Sequence, residues 1–234
     1  MSSRLIPCLH DDETVRGAVI VCPGGAYAGL APYEGEPVAA LFRDFGFQAF
    51  TLNYRCAPDR YPAARDDLFA AIREVRARAA ELRVRPDRIA VLGFSAGGHL
   101  AAGAGMEFRG PAERPDAVLL AYPVISGVTD ANEGSFRNLL GDSFSPENCR
   151  ALSRELQVRA DTPPTFLFHT VEDRSVPVSN ALNYAAALAR KGVPFELHIY
   201  PRGPHGMAPG RCAAYPELQS WPRLAADWLR RQGW

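Results

Sequence analysis

Six short apolar runs are spaced along this sequence, and the longer stretches between most of them carry a helical period. The runs are "GAVIVC" at 17–22, "FQAFTL" at 47–52, "RIAVLG" at 88–93, "AVLLAY" at 117–122, "TFLFH" at 165–169 and "FELHIY" at 195–200. Short runs rich in β-branched and aromatic residues read as strands, and strands that alternate with amphipathic helices build a parallel sheet. Helices are expected over 35–45, 62–82, 96–106, 179–191 and 214–231. The clearest is 62–82, where Leu68, Ile72, Val75 and Ala79 form one stripe opposite the charges and Pro62 takes a tolerated first-turn position. The fold class is therefore α/β, with a mostly parallel central sheet flanked by helices on both faces. A chain of 234 residues suits one domain, 1–234, able to bury a core without staples. The stretch 125–163 keeps neither period for long and is dense in Ser, Asn, Gly and Pro, so it is expected to be an inserted loop acting as a cap or lid.

Within this frame Gly93-Phe94-Ser95-Ala96-Gly97 matches G-x-S-x-G, with "IAVL" before it and "GHLAAGAGM" after it. That context is a strand, a sharp turn and a helix. Glycine is needed on both sides because a side chain there would collide with the neighbouring strand and helix. Ser95 is the candidate nucleophile. A serine hydroxyl is nearly inert at neutral pH until an oriented base takes its proton, so an acid and a histidine must also be supplied. In a sheet of this class they follow the serine in that order, from loops just past later strands. "VEDRSVP" follows the run at 165–169 and "PRGPHGM" follows the run at 195–200, which offers Asp173 and His205.

The alternatives are weaker on placement. His99 lies one turn into the helix behind Ser95, His198 falls inside a strand, His169 precedes the acid, and His10 has no site signal around it. Glu172 stays open as an alternative acid, although the spacing to Val176-Pro177 favours Asp173, while Asp142 and Asp161 fall in the inserted loop. The anion formed by attack on a carbonyl needs hydrogen-bond donors, which backbone amides supply most rigidly. "VCPGGAY" at 21–27 places Gly24-Gly25-Ala26 after the first strand, so the amides of Gly25 and Ala26, with that of Ala96, are the candidate oxyanion hole. Tyr27, Tyr122 and Pro123 stand where they could border an acyl pocket.

Composition narrows the partners. The 26 basic and 26 acidic residues cancel, which offers no electrostatic case for nucleic acid or an anionic membrane. Five scattered cysteines, Cys8, Cys22, Cys56, Cys149 and Cys212, suggest neither a disulfide framework nor a metal site. The first 17 residues lack the apolar core of a secretory signal, so a cytoplasmic location is expected unless a signal has been removed. No cofactor or metal is expected, and oligomeric state stays open to a homo-oligomer.

Taken together, "PGGAY", "LNYRCAP", "GFSAGGHLA", "DTPPTFLFHTVEDRSVP" and "YPRGPHG" resemble the α/β-hydrolase superfamily, and within it the small esterases related to the hormone-sensitive-lipase group and to bacterial acetylxylan or acetyl-sugar esterases. The resemblance covers nearly the whole chain. It implies the α/β-hydrolase fold, Ser95 as nucleophile, His205 as base, Asp173 as orienting acid, and a small-molecule ester as substrate. Two positions depart from the pattern: Pro23 replaces the usual histidine and Ala26 the third glycine of the oxyanion motif. The larger relatives' helical N-terminal cap has no room before residue 17, which points to short acyl groups such as acetyl on sugars or xylo-oligosaccharides. The acid loop also resembles that of prolyl oligopeptidases, so a small-peptide or amide hydrolase is the second reading. A non-catalytic binding protein on the same fold is the third.

Overall fold

The computed structural model describes residues 4–234. Among them, seven strands form one sheet: β1 (Arg4–Cys8), β2 (Arg16–Cys22), β3 (Gln48–Asn53), β4 (Val84–Phe94), β5 (Ala117–Ala121), β6 (Thr165–Thr170) and β7 (Phe195–Tyr200). Their order is β1-β3-β2-β4-β5-β6-β7, parallel throughout except for β1, which runs antiparallel to β3. Strand β1 was not foreseen, because "RLIPC" is short and contains Pro7. An edge strand tolerates proline, since half of its backbone donors face away from the sheet.

The helices are α1 (Glu36–Asp44), α2 (Ala63–Ala77), α3 (Ser95–Ala104), α4 (Glu133–Leu140), α5 (Pro146–Ala151), α6 (Ser179–Arg190) and α7 (Trp221–Arg231). Strand alternation divides the interior into two layers. Ala18, Ile20 and Cys22 of β2 pack with Leu68, Ile72 and Val75 of α2 and with α3 and α6 on one face, whereas Val19 and Val21 pack with α1 and α7 on the other. The last helix starts at Trp221 rather than 214, because Pro216 opens a separate 3₁₀ turn and Pro222 fixes the first turn of α7. Likewise α2 stops at Ala77, five residues early, where the chain turns through Arg83 at φ +52° into β4.

The segment 125–163 is more ordered than its composition suggests, since it holds α4, α5 and two 3₁₀ turns. Side-chain oxygens of Asn132 and Ser145 cap the two helices. Arg154 fastens the segment to α3: it is 2% exposed, donates to the carbonyl of His99 at 3.2 Å, and pairs with Glu107 at 2.7 Å. No helix among the described residues is long and apolar enough to cross a membrane.

Candidate active site

Strand β4 delivers Ser95 at its carboxyl end, where the chain reverses into α3 with Ser95 at φ +51°. A non-glycine residue holds this left-handed conformation only when its surroundings fix it. Here they do, because the reversal is packed without slack. A Cβ at position 93 would lie 2.2 Å from the carbonyl oxygen of Gly97, and one at position 97 would lie 2.2 Å from that of Cys22. Gly97→Ala is therefore expected to push α3 off β2. The predicted loss is about 3 kcal/mol, a fall in Tm of about 6–12 °C by calorimetry, together with most of the activity.

The loops after β6 and β7 bring Asp173 and His205 to the same sheet edge. Nδ1–H of His205 donates to Oδ2 of Asp173 at 2.6 Å, and the Ser95 hydroxyl donates to Nε2 of His205 at 2.8 Å. A carboxylate can only accept, which assigns the ring proton to Nδ1 and leaves Nε2 as the acceptor. Burial pushes the Asp173 carboxyl up, but hydrogen bonds from His169 and His205, the charge of His205 and the Val176 amide outweigh it and hold it well below the usual carboxylate range. It stays ionised wherever the imidazole can work as a base.

The other candidates are occupied elsewhere. Glu172 is exposed and accepts the Gly203 amide at 3.0 Å. His99 is buried between the Tyr27 hydroxyl, 2.9 Å from Nδ1, and the Leu152 carbonyl, 2.8 Å from Nε2, and burial with the nearby charge of Arg154 holds it neutral. His169 is fully buried behind Asp173, with Nε2 2.8 Å from the Val176 carbonyl and 3.5 Å from Oδ2 of the acid. His198 pairs with Glu196, and His10 meets the Arg43 carbonyl. Asp142 and Asp161 are exposed on the inserted segment.

The turn after β2 carries the candidate donors. Gly25 lies at φ +126°, followed by Ala26 at +53° and Tyr27 at +57°. Among the described residues, neither the Gly25 nor the Ala26 amide has an acceptor, and the Ala96 amide sits in the first turn of α3, where no helical carbonyl precedes it. The turn adjoins the serine: a Cβ on Gly24 would lie 2.9 Å from Cβ of Ser95. Pro23, which cannot donate, uses its carbonyl to accept the Tyr54 hydroxyl at 2.5 Å. Asn138 of α4 donates to the Ala26 carbonyl at 3.0 Å, so the inserted segment helps to hold this turn.

The aromatic candidates need correction. Tyr27 is 3% exposed, its ring packs edge-on against Tyr54 and His99, and it lies in the core behind the turn. Its left-handed backbone aims the side chain inward. Tyr122 is 2% exposed, with its hydroxyl on Glu34 at 2.8 Å and its ring 5.0 Å from that of His205, and Pro123 is buried against Gly98. These side chains support the site from behind instead of lining a pocket. Sequence reasoning missed Glu34 and Asn138; "YEGEP" reads as a plain helix start, and α4 was not foreseen. Among the described residues, no three His, Cys, Asp or Glu side chains cluster to hold a metal ion.

The chain is 42% identical to the acetyl ester-xyloside bifunctional hydrolase of Caldicellulosiruptor lactoaceticus, whose crystal structure superposes with a TM-score of 0.92 over 99% of this chain and 88% of that one. It is 34% identical over 218 residues to endo-1,4-beta-xylanase B of Butyrivibrio fibrisolvens, covering 87% of this chain and 34% of the relative. It is 32% identical over 215 residues to the acetylxylan esterase of Xylanibacter ruminicola, covering 89% and 44%. The chain thus spans less than half the length of these two curated relatives. Residues 19–209 match a family model described as having the alpha/beta hydrolase fold, and with the sheet order and the strand-to-helix reversal at Ser95 this places the chain in the α/β-hydrolase family.

Proposed function

We propose that this chain is a serine carboxylesterase that removes short acyl groups, acetyl foremost, from sugars or xylo-oligosaccharides. The observation that carries the reading is the relay of 2.8 and 2.6 Å from Ser95 through His205 to Asp173, beside amides with no internal acceptor. His205 takes the hydroxyl proton as Ser95 attacks the ester carbonyl, and the amides of Gly25, Ala26 and Ala96 receive the developing oxyanion. The protonated His205 then gives its proton to the departing alcohol. Water activated by the same ring releases the acid from the acyl-serine.

The sugar preference draws on the names of the relatives. The cap supports the acetyl preference: segment 125–163 is fastened to the turn at Ala26 by Asn138 at 3.0 Å, and to the loop between β3 and α2 by the Arg60 side chain, which donates to the Asn138 carbonyl at 2.7 Å. The balanced charge of the sequence offers no electrostatic case for nucleic acid or an anionic membrane as partner, which leaves a small-molecule ester as the substrate. Rates on p-nitrophenyl acetate, butyrate and octanoate test the pocket, with acetate expected to exceed octanoate by at least about tenfold, since each methylene without a place costs roughly 1–3 kcal/mol. An octanoate preference overturns the short-acyl reading. Release of acetate from acetylated xylo-oligosaccharides, measured beside a feruloyl ester and a peptide amide, tests the substrate class; faster cleavage of the amide would move the chain to the peptidase reading.

A further inference from the structure

Glu34 is a carboxylate 1% exposed between β2 and α1, and the chemistry described so far leaves it without a task. Its two oxygens serve two sides of the site. Oε2 accepts the Gly24 amide at 2.7 Å, and Oε1 accepts the Tyr122 hydroxyl at 2.8 Å. Gly24 immediately precedes the two candidate donor amides and adjoins Ser95, whose Cβ would lie 2.9 Å from a Cβ added at position 24. Tyr122 sets its ring edge-on to His205 at a centroid distance of 5.0 Å and an interplanar angle of 72°. Both partners of one buried carboxylate therefore end on catalytic groups.

A buried carboxylate is costly to keep without a cation, by several kcal/mol. Among the described residues no lysine or arginine forms an ion pair with Glu34; Arg211 stacks its guanidinium on the ring of the neighbouring Tyr33 at 4.5 Å. The cation whose charge acts on Glu34 is the imidazolium of His205, which forms when the ring takes the Ser95 proton and when it is protonated at low pH. Burial pushes the Glu34 carboxyl above its ordinary range, and the Tyr122 hydroxyl, the Gly24 amide and the charge of His205 offset that rise only in part.

We propose that Glu34 is a positioning residue: it holds the oxyanion turn through Gly24 and the His205 ring through Tyr122, and its charge stabilises the imidazolium formed when Ser95 loses its proton. The proposal rests on the serine esterase reading. Around His205 stand Asp173 with His169 behind it, exposed Glu172, Tyr33 with Arg211, Tyr122 and Glu34; Glu34→Gln alters the charge of only the last.

The test measures kcat and KM for p-nitrophenyl acetate across pH, with a thermal melt, for the wild-type chain, Ser95→Ala, Glu34→Gln, Glu34→Asp and Tyr122→Phe. Glu34→Gln is expected to lower kcat at least about tenfold with KM within about twofold, because it weakens a group that acts on the transition state. It also moves the acid limb of the kcat/KM profile to lower pH, by about half a unit, since the imidazolium has lost a favourable charge. Glu34→Asp keeps the charge, so the limb stays in place while kcat falls with the lengthened Gly24 bond. A purely structural role lowers Tm and leaves the limb unmoved in both variants, and that result overturns the proposal. If Glu34→Gln does not fold, Tyr122→Phe decides, because it keeps the charge and the ring and removes only the tie; a fall in kcat of at least about threefold is expected, and wild-type kcat overturns the proposal. Activity retained in Ser95→Ala refutes the esterase reading itself, whereas an inactive Ser95→Ala beside an unaltered Glu34→Gln refutes only the role of Glu34.

Discussion

Ser95→Ala is expected to lower kcat for p-nitrophenyl acetate at least about 10⁴-fold, with KM changed little and the fold intact. The size follows from the division of labour at the site. Removing the hydroxyl removes the atom that forms the acyl bond, and Nε2 of His205 loses the group 2.8 Å away whose proton it takes. What remains is hydrolysis by water held near the unpartnered amides of Gly25 and Ala26, a background that other serine hydrolases keep at about 10³–10⁴ over solution. The packing of the elbow does not depend on the hydroxyl. The close approaches that shape it involve the backbone of Gly93, Gly97 and Cys22, so the variant is expected to melt with the wild type. Stopped-flow release of p-nitrophenol checks the assignment directly: the wild type is expected to show a burst if deacylation is slower than acylation, and the variant none. Hydrolysis at the wild-type rate by Ser95→Ala would remove the serine from the chemistry.

Much of this was legible in the sequence because it was written in backbone requirements. The glycines at 93 and 97 announce a reversal that nothing larger fits, because a Cβ at either position would lie 2.2 Å from a backbone carbonyl oxygen. The order of Ser95, Asp173 and His205 could be read because a parallel sheet delivers every strand end to one edge, so loops distant in sequence become neighbours. The support behind the site was not legible. Whether Tyr27 faces a pocket or the core depends on the left-handed turn at Ala26 and Tyr27, which no periodicity encodes. Glu34 reaches Gly24 and Tyr122, 10 and 88 residues away in the chain, and its carboxylate looks like any surface acid until the sheet closes over it. Asn138 belongs to a helix in a segment too polar and irregular to show its period, and that helix is held by its caps and its docking on the oxyanion turn.

Asp173→Asn is expected to lower kcat by about 10⁴-fold while leaving stability nearly unchanged, whereas Glu172→Gln is expected to stay within about twofold of the wild type. The first effect comes from the direction in which an amide must sit. Oδ1 of Asp173 accepts the amides of Ser175 and Val176, each at 2.9 Å, and asparagine can preserve both bonds only by placing its oxygen there. Its NH₂ group then faces Nδ1 of His205, where a donor at 2.6 Å is required to meet an acceptor. The ring answers by moving its proton to Nε2, and a protonated Nε2 cannot take the proton of Ser95. The loop geometry survives, so the loss appears in kcat rather than in Tm. Glu172, in contrast, spends Oε2 on the Gly203 amide at the exposed rim, and glutamine keeps an oxygen able to accept that bond. Steady-state rates for the two variants with circular dichroism melts separate the neighbouring acids. An inactive Glu172→Gln beside an active Asp173→Asn would reassign the acid, and the 2.6 Å contact to His205 would then have to be explained as packing alone.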